Sequence, residues 1–182
     1  MHARASRANL LDREFDRTVP DTVWLADITY LATDEGWLYL AAIKDLATRE
    51  IVGWAMDDHL RSELCERALI MAIQRCQPPR GLICHSDRGV QYASGSYRKI
   101  LDRHGFRQSM SRKGNCLDNA PMESFFGSLK TELVHRCQFA TRDDARRTVF
   151  RWIETYYNRR RRHSSIGYLT PVQAFAQMAQ AA

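Results

Sequence analysis

Residues 82–133 read LICHSDRGVQYASGSYRKILDRHGFRQSMSRKGNCLDNAPMESFFGSLKTEL. The apolar run Leu82-Ile83-Cys84 is too short for a helix and ends in His85-Ser86-Asp87-Arg88-Gly89. It reads as a buried strand that delivers an aspartate at its carboxyl end, where open α/β sheets bind ligands. Asp118-Asn119-Ala120-Pro121 then opens a helix, with proline in the first turn where its missing N–H costs little, and Glu123 in that same turn. Thirty-five residues separate Asp87 from Glu123. A third acid, Asp27, stands upstream in Val23–Leu31 (VWLADITYL), where a strand gains nothing by holding a charge. Two aspartates on strands and a glutamate on a helix are the donor set that holds a pair of divalent cations for phosphoryl transfer.

Working outward, three strand-like runs precede this stretch: Val23–Leu31, Trp37–Asp45 and Glu50–Met56, joined by turn signals at Asp34-Glu35-Gly36 and Ala47-Thr48-Arg49. Such short connections predict an antiparallel meander. The middle run is apolar nearly throughout, as a strand covered on both faces is. Ser62 is the expected N-cap of a helix whose apolar residues recur at helical spacing to Cys76, before Pro78-Pro79 ends it. The strand at Leu82–Ser86 follows this crossover and is expected to run parallel to a meander strand. A helix from Ser94 to His104, a short edge strand over Phe106–Met110 and a polar, mobile loop at Ser111–Asp118 come next. Helices are then expected over Pro121–Val134, from Thr141 as N-cap to about Arg159, and briefly after Thr170.

The order β-β-β-α-β-α-β-α-α predicts an α/β fold, a mixed five-stranded sheet flanked by helices in one domain. Residues 1–20, beginning with a polar lead-in at Met1-His2-Ala3-Arg4, read as an arm or linker without a helix-turn-helix pattern. Residues 21–176 are the domain with a basic helical extension, and 177–182 are a tail.

The net charge is +6, but unevenly spread: residues 21–60 hold eight acids and two bases, and residues 61–182 hold twenty-one bases and ten acids. An acidic front and a basic remainder suit a metal-holding centre within a polyanion-binding surface. The five cysteines form no C-x-x-C pair, which argues against a disulfide framework or zinc site and for a reducing cytoplasm. No run reaches the length of a membrane span.

Each acid has an ordinary alternative. Asp27 could pair with a buried cation, Asp87 could cap the turn before Gly89, and Glu123 could complement the helix dipole. Lys130 lies seven residues beyond Glu123, roughly 10 Å along the helix. The expected face through Phe126 and Gly127 would let it touch a DNA phosphate, unless it simply faces solvent. Between Arg142 and His163 stand eight arginines against three acids, and Arg159, Arg160, Arg161 and Arg162 are read as phosphate contacts. Asn158 and His163 either order nearby backbone or touch DNA. His85 either supports the neighbouring aspartate or is a packed histidine.

Taken together, these stretches resemble the DDE transposases of bacterial insertion sequences, relatives of retroviral integrases. The matching segments are Val23–Tyr30, His85–Tyr92, Ser109–Asn115, Asp118–Phe126, Leu129–Glu132, Tyr157–Arg161, His163-Ser164, Gly167-Tyr168 and Thr170-Pro171, and the thirty-five-residue gap is that of the D,D-35-E group. The resemblance implies an RNase H-like fold and catalytic, metal-holding Asp27, Asp87 and Glu123 with two Mg²⁺ (or Mn²⁺) ions. It also implies DNA as partner, and a homo-oligomer in the working complex. Arg112 and Lys113 become expected DNA contacts, and Asn119 joins His85 as an expected support of the carboxylates. Full-length members carry an upstream helix-turn-helix region for the element's ends. The expected activity is metal-dependent DNA cleavage and strand transfer. The rivals are a plain nuclease of the same fold and an inactive nucleic-acid-binding module.

Overall fold

The computed structural model describes residues 7–182; the polar lead-in at residues 1–4 lies outside them. The elements in order are β1 (Val23–Thr33), β2 (Gly36–Asp45), β3 (Ile51–Asp57), α1 (Ser62–Cys76), β4 (Ile83–Ser86), α2 (Gly95–His104), β5 (Arg107–Met110), α3 (Ala120–Glu132), α4 (Arg142–Arg151) and α5 (Pro171–Gln180). The sheet order is β3-β2-β1-β4-β5. β1, β2 and β3 pair antiparallel, while β4 pairs parallel to β1 and β5 parallel to β4. This is the mixed sheet that the meander and crossover predict.

Side-chain alternation divides the core into two layers, one on each face of the sheet. Leu25, Leu31, Leu38 and Leu40 pack beneath Met122, Phe125, Phe126 and Leu129 of α3 and Val149 and Ile153 farther on. Trp24, Ala26, Ala41 and Ile43 pack beneath Leu64, Ala68, Leu69 and Ala72 of α1. Each such Leu or Phe buried contributes roughly 1.5–3 kcal/mol. Gly53 lets α1 settle onto β3: a Cβ there would lie 2.2 Å from the Ala68 carbonyl oxygen.

Several boundaries differ from the sequence reading. The N-cap of α1 is Arg61, without a side-chain bond, and Ser62 is the first helical residue. Thr141 does cap α4, accepting from the Asp144 N–H. The helix expected to run to Arg159 turns into a π-helix over Trp152–Tyr157. Wider i→i+5 bonds follow, such as Asn158 N–H to Ile153 C=O at 3.0 Å. The wider turn buries Trp152, Ile153, Tyr157 and Asn158 together. The expected arm is packed rather than loose over part of its length, since Leu11 is fully buried in the α3 layer.

Candidate active site

Residues of β1 and β4 pair at a constant offset, ending with Ala26 beside Ser86. Asp27 and Asp87 are the next residues on each chain. Adjacent strands lie about 4.8 Å apart, so the ladder itself brings the two aspartates to the same sheet end. Glu123 reaches the same place by helix geometry. Met122, Phe125, Phe126 and Leu129 form the stripe of α3 that buries itself on β1 and β2, leaving Glu123 exposed at its rim. Asn119, just ahead of α3, donates to the Ala26 carbonyl at 3.4 Å and ties the helix start to the strand position before Asp27.

The three carboxylates line one cleft of about 530 Å³ together with Arg88, Ser111, Lys113 and Asn119. Asp27 is half-buried, and its carboxyl is pushed up to about 7. Burial is the main cause, and the charges of Asp87 and Glu123 add to it. The Ile28 N–H, donating to Asp27 at 2.8 Å, only partly offsets them. The cationic side chains whose contacts are seen at the cleft are engaged elsewhere. Arg88 donates to the Ser111 carbonyl at 2.7 Å, and Arg112 pairs with Asp12 and Asp118. The ordinary reading of Asp27, a buried ion pair, therefore finds no partner here. The buried Oδ1 of Asn119, which lines the cleft, also lacks a hydrogen-bond partner. Clustered carboxylates with no ion pair among the described residues, beside an unpaired amide oxygen, suit a hard divalent cation. Among the described residues the acids do not close into a tight three-ligand cluster; only Asp57, Asp58 and His59 do so.

Asp87 accepts from the Gly89 N–H at 2.8 Å. A Cβ on Gly89 would lie 2.8 Å from that carboxylate, so glycine is what leaves the Asp87 side chain its place.

Other expected site residues lie elsewhere. His85 is fully buried, held between the hydroxyls of Ser109 (2.8 Å) and Ser111 (3.2 Å); it ties β4 to β5 as a packed histidine. Asn158 is also buried, bracketing the Ile51 N–H and C=O at 2.9 and 3.0 Å, so its amide is committed to backbone. His163 is 8% exposed and stacks edge-on against Tyr157. Arg161 grips Glu132 and Ser128. Lys130 sits over the Tyr30 ring at 5.6 Å, and Phe126 points into the core, so the helix face drawn from Glu123 through Phe126 does not exist as one surface. Arg159, Arg160, Arg162 and Lys113 stay exposed.

Asp118, read from sequence only as part of a helix start, is a buried anchor. It accepts from the Arg112 N–H (2.8 Å), Arg13 (2.9 Å) and Asn9 (3.2 Å). Burial would raise its carboxyl, but these bonds and the two guanidinium charges outweigh it and hold it below the usual range. The loop expected to be mobile is thus pinned at both ends, by Arg88 at Ser111 and by Asp118 itself. Its charge beside Asn119 was visible; its burial was not, because Asn9 and Arg13, two of its three donors, stand more than one hundred residues away.

Comparison with known proteins gives the same picture. Residues 17–116 and 104–171 each match a family model described as "Integrase core domain". The chain is 52% identical over 174 residues to the "Insertion element IS600 uncharacterized 31 kDa protein" of Shigella sonnei. It is 49% identical over 172 residues to "Transposase InsF for insertion sequence IS3A" of Escherichia coli. Each match covers 94% of this chain but only 64% and 60% of those relatives, so the chain spans less than two thirds of their length. Among solved structures it resembles a simian T-cell lymphotropic virus intasome in complex with PP2A regulatory subunit B56 gamma. There the TM-score is 0.74 at 16% identity, over 96% of this chain and 60% of that one. It also resembles the HTLV-2 integrase catalytic core domain in complex with magnesium, with TM-score 0.65 at 16% identity, over 86% of this chain and 97% of that one. The fold is that of integrase catalytic cores, RNase H-like.

Proposed function

Since this chain belongs to the integrase core domain family, we propose that it is the catalytic core of an insertion-sequence transposase, cutting and joining DNA strands with Asp27, Asp87 and Glu123. The observation that carries this reading is the convergence of three carboxylates, from β1, the end of β4 and the start of α3, on one cleft. An enzyme that left such a cluster without a cation would lose stability for nothing.

Asp27, Asp87 and Glu123 would hold two Mg²⁺ (or Mn²⁺) ions. When bound, these supply Lewis acidity and a lowered pKa for the attacking hydroxyl. The chain's own residues do the rest. The Asp27 and Asp87 backbones are fixed by the β1–β4 ladder, and Glu123 by the buried stripe of α3, so the three carboxylates are positioned before substrate arrives. In the first step water attacks the phosphodiester at the element's end and the 3′-oxygen leaves as a hydroxyl. In the second, that 3′-hydroxyl attacks a target phosphodiester and displaces another 3′-oxygen. No side chain becomes covalently attached to DNA. The exposed Arg159, Arg160, Arg162 and Lys113 would contact phosphates, positioning DNA without reading bases. A homo-oligomer holding two ends, in the bacterial cytoplasm, completes the reading. No helix among the described residues is long and apolar enough to cross a membrane.

The test supplies the purified chain with a labelled element end, a target duplex and Mg²⁺, and looks for joined product. Cut product without joined product would leave a nuclease. Asp87→Asn is expected to abolish both products while DNA binding persists.

A further inference from the structure

Beside the start of α3 lies a second pocket, of about 350 Å³, walled by Lys44, Arg49, Ser124, Tyr157, Arg161 and His163. Its walls come from β2, the β2–β3 turn, α3 and the segment after the π-helix, brought together across more than one hundred residues. All the charged side chains lining it are cationic. Lys44 is 4% exposed, and its ammonium has one bond, to the Pro121 carbonyl at 3.0 Å. An ammonium carries three donors, so two are unspent. The buried Nε and Nη1 of Arg49 find no hydrogen-bond partner.

His163 is the most informative wall. Its Nδ1 lies 3.3 Å from Arg161 Nη1, and a guanidinium can only donate. Nδ1 must therefore accept, which leaves the proton of the neutral ring on Nε2. That atom is buried and makes no well-formed hydrogen bond. A residue more than nine-tenths buried thus holds an N–H whose nearest acceptor, the Tyr157 carbonyl, bonds it only loosely, in a pocket where Lys44 and Arg49 have unspent donors. Groups of this kind are hydrogen-bonded in folded proteins, to protein, to ordered water or to a ligand.

The nearby acids do not fill the need. Glu132 is engaged with Arg161, and Asp45 accepts from the N–H groups of Asp21 and Thr48. Asp16 acts on Arg49 only at a distance, without a bond. Consistent with an excess of positive charge, the Lys44 ammonium is pushed down to about 7, by burial first and then by Arg49 and Arg161. His163 falls to about 4 by burial and by Arg161 and Lys44, the Tyr157 carbonyl pulling weakly the other way.

We propose that this pocket seats a phosphate of the DNA backbone, with Lys44, Arg49 and the His163 Nε2–H as donors and Arg161 orienting the histidine. The inference rests on the DNA-handling reading above. DNA is favoured over a free anion because Pro121 and Ser124, which line this pocket, flank Glu123 in sequence. A helix is about 10–12 Å across, so one strand crossing the start of α3 spans both sites within a few nucleotides.

Two titrations of the purified, metal-free chain test this: inorganic phosphate followed by Tm, and a labelled duplex followed across salt concentrations. Arg49→Gln and Ser124→Asp are the variants, both at the pocket's accessible edge, and their phosphate-free Tm reports whether they fold. The expected result is that phosphate raises Tm in the parent but not in either variant. Both variants should also weaken duplex binding regardless of sequence and lower the salt slope by about 1. If neither variant changes either response, the pocket is no anion site. If the Tm response disappears while the duplex slope is unchanged, it holds free anions only, and the DNA assignment is overturned. Asp87→Asn should keep both responses. A chain that binds as expected but yields no joined product would sink the strand-transfer reading and leave this one standing.

Discussion

The two pockets beside α3 are opposite in sign and alike in construction. On one side Asp27, Asp87 and Glu123 share a cleft, and burial drives the Asp27 carboxyl up to about 7. On the other, Lys44, Arg49 and Arg161 crowd together, and burial drives the Lys44 ammonium down to about 7. In both, a charge that water would solvate is held out of water by a strand of the central sheet. The two do not neutralise each other: the Lys44 ammonium spends its bond on the Pro121 carbonyl at the start of α3. The fold thus gathers buried charge of opposite sign in two separate pockets. A divalent cation and a phosphodiester are together the kind of ligand that meets both.

The largest effect should come from breaking the acidic side. Asp27→Asn is expected to lower cleavage and joining by more than about a hundredfold, because even residues that only support a metal ligand cost 10–100-fold when lost. The same change should stabilise the metal-free protein. The Asp27 carboxyl ordinarily titrates near 3.8 and does so at about 7 in the fold, so the folded state binds more protons between those values. Stability from this group is full below pH 3.8 and is lost as pH rises through about 7. Thermal melts of parent and variant should therefore coincide in acid and diverge as pH approaches 8, with the variant the more stable. Lys44→Met is the mirror. Lys44 falls from 10.5 to about 7, so the unfolded state binds more protons and the parent gains stability between pH 7 and 10.5. The variant should lack that gain, and parallel melts across that range would contradict the burial of charge at Lys44.

Next comes the wall that the basic pocket leans on. Asn158→Ala leaves the Ile51 N–H and C=O without their partners, and should cost roughly 3 kcal/mol in urea denaturation. Gly89→Ala acts on the acidic side by displacement alone: its Cβ meets the Asp87 carboxylate at 2.8 Å. About a tenfold loss of cleavage is expected, with little change in melting temperature, as for a ligand moved rather than removed. Smallest of all, Arg160→Gln lies on the exposed surface outside both pockets. It should lower the salt slope of duplex binding by about 1 and leave cleavage at saturating DNA unchanged.

Much of this arrangement was legible in the chain. The strand periods placed Asp27 and Asp87, and the proline-led helix placed Glu123, because alternation in a strand and the 3.6-residue turn of a helix are local properties. Where the reading failed, a contact distant in sequence decided the matter. Asn158 and His163, which the sequence left between ordering backbone and touching DNA, are both carried inward after the π-turn at Trp152–Tyr157, and Asn158 takes the backbone role. Lys130 leans on Tyr30, a partner one hundred residues away.

The sequence by itself therefore determined the order of elements and the sheet, since both follow from short-range periodicity and turn chemistry. Only the tertiary structure decided which arginines stay free, which histidine is buried, and that Lys44 and Arg49 meet His163 in one pocket. Those outcomes depend on what packs against each side chain after the chain has closed on itself, and local pattern carries no record of a neighbour one hundred residues away.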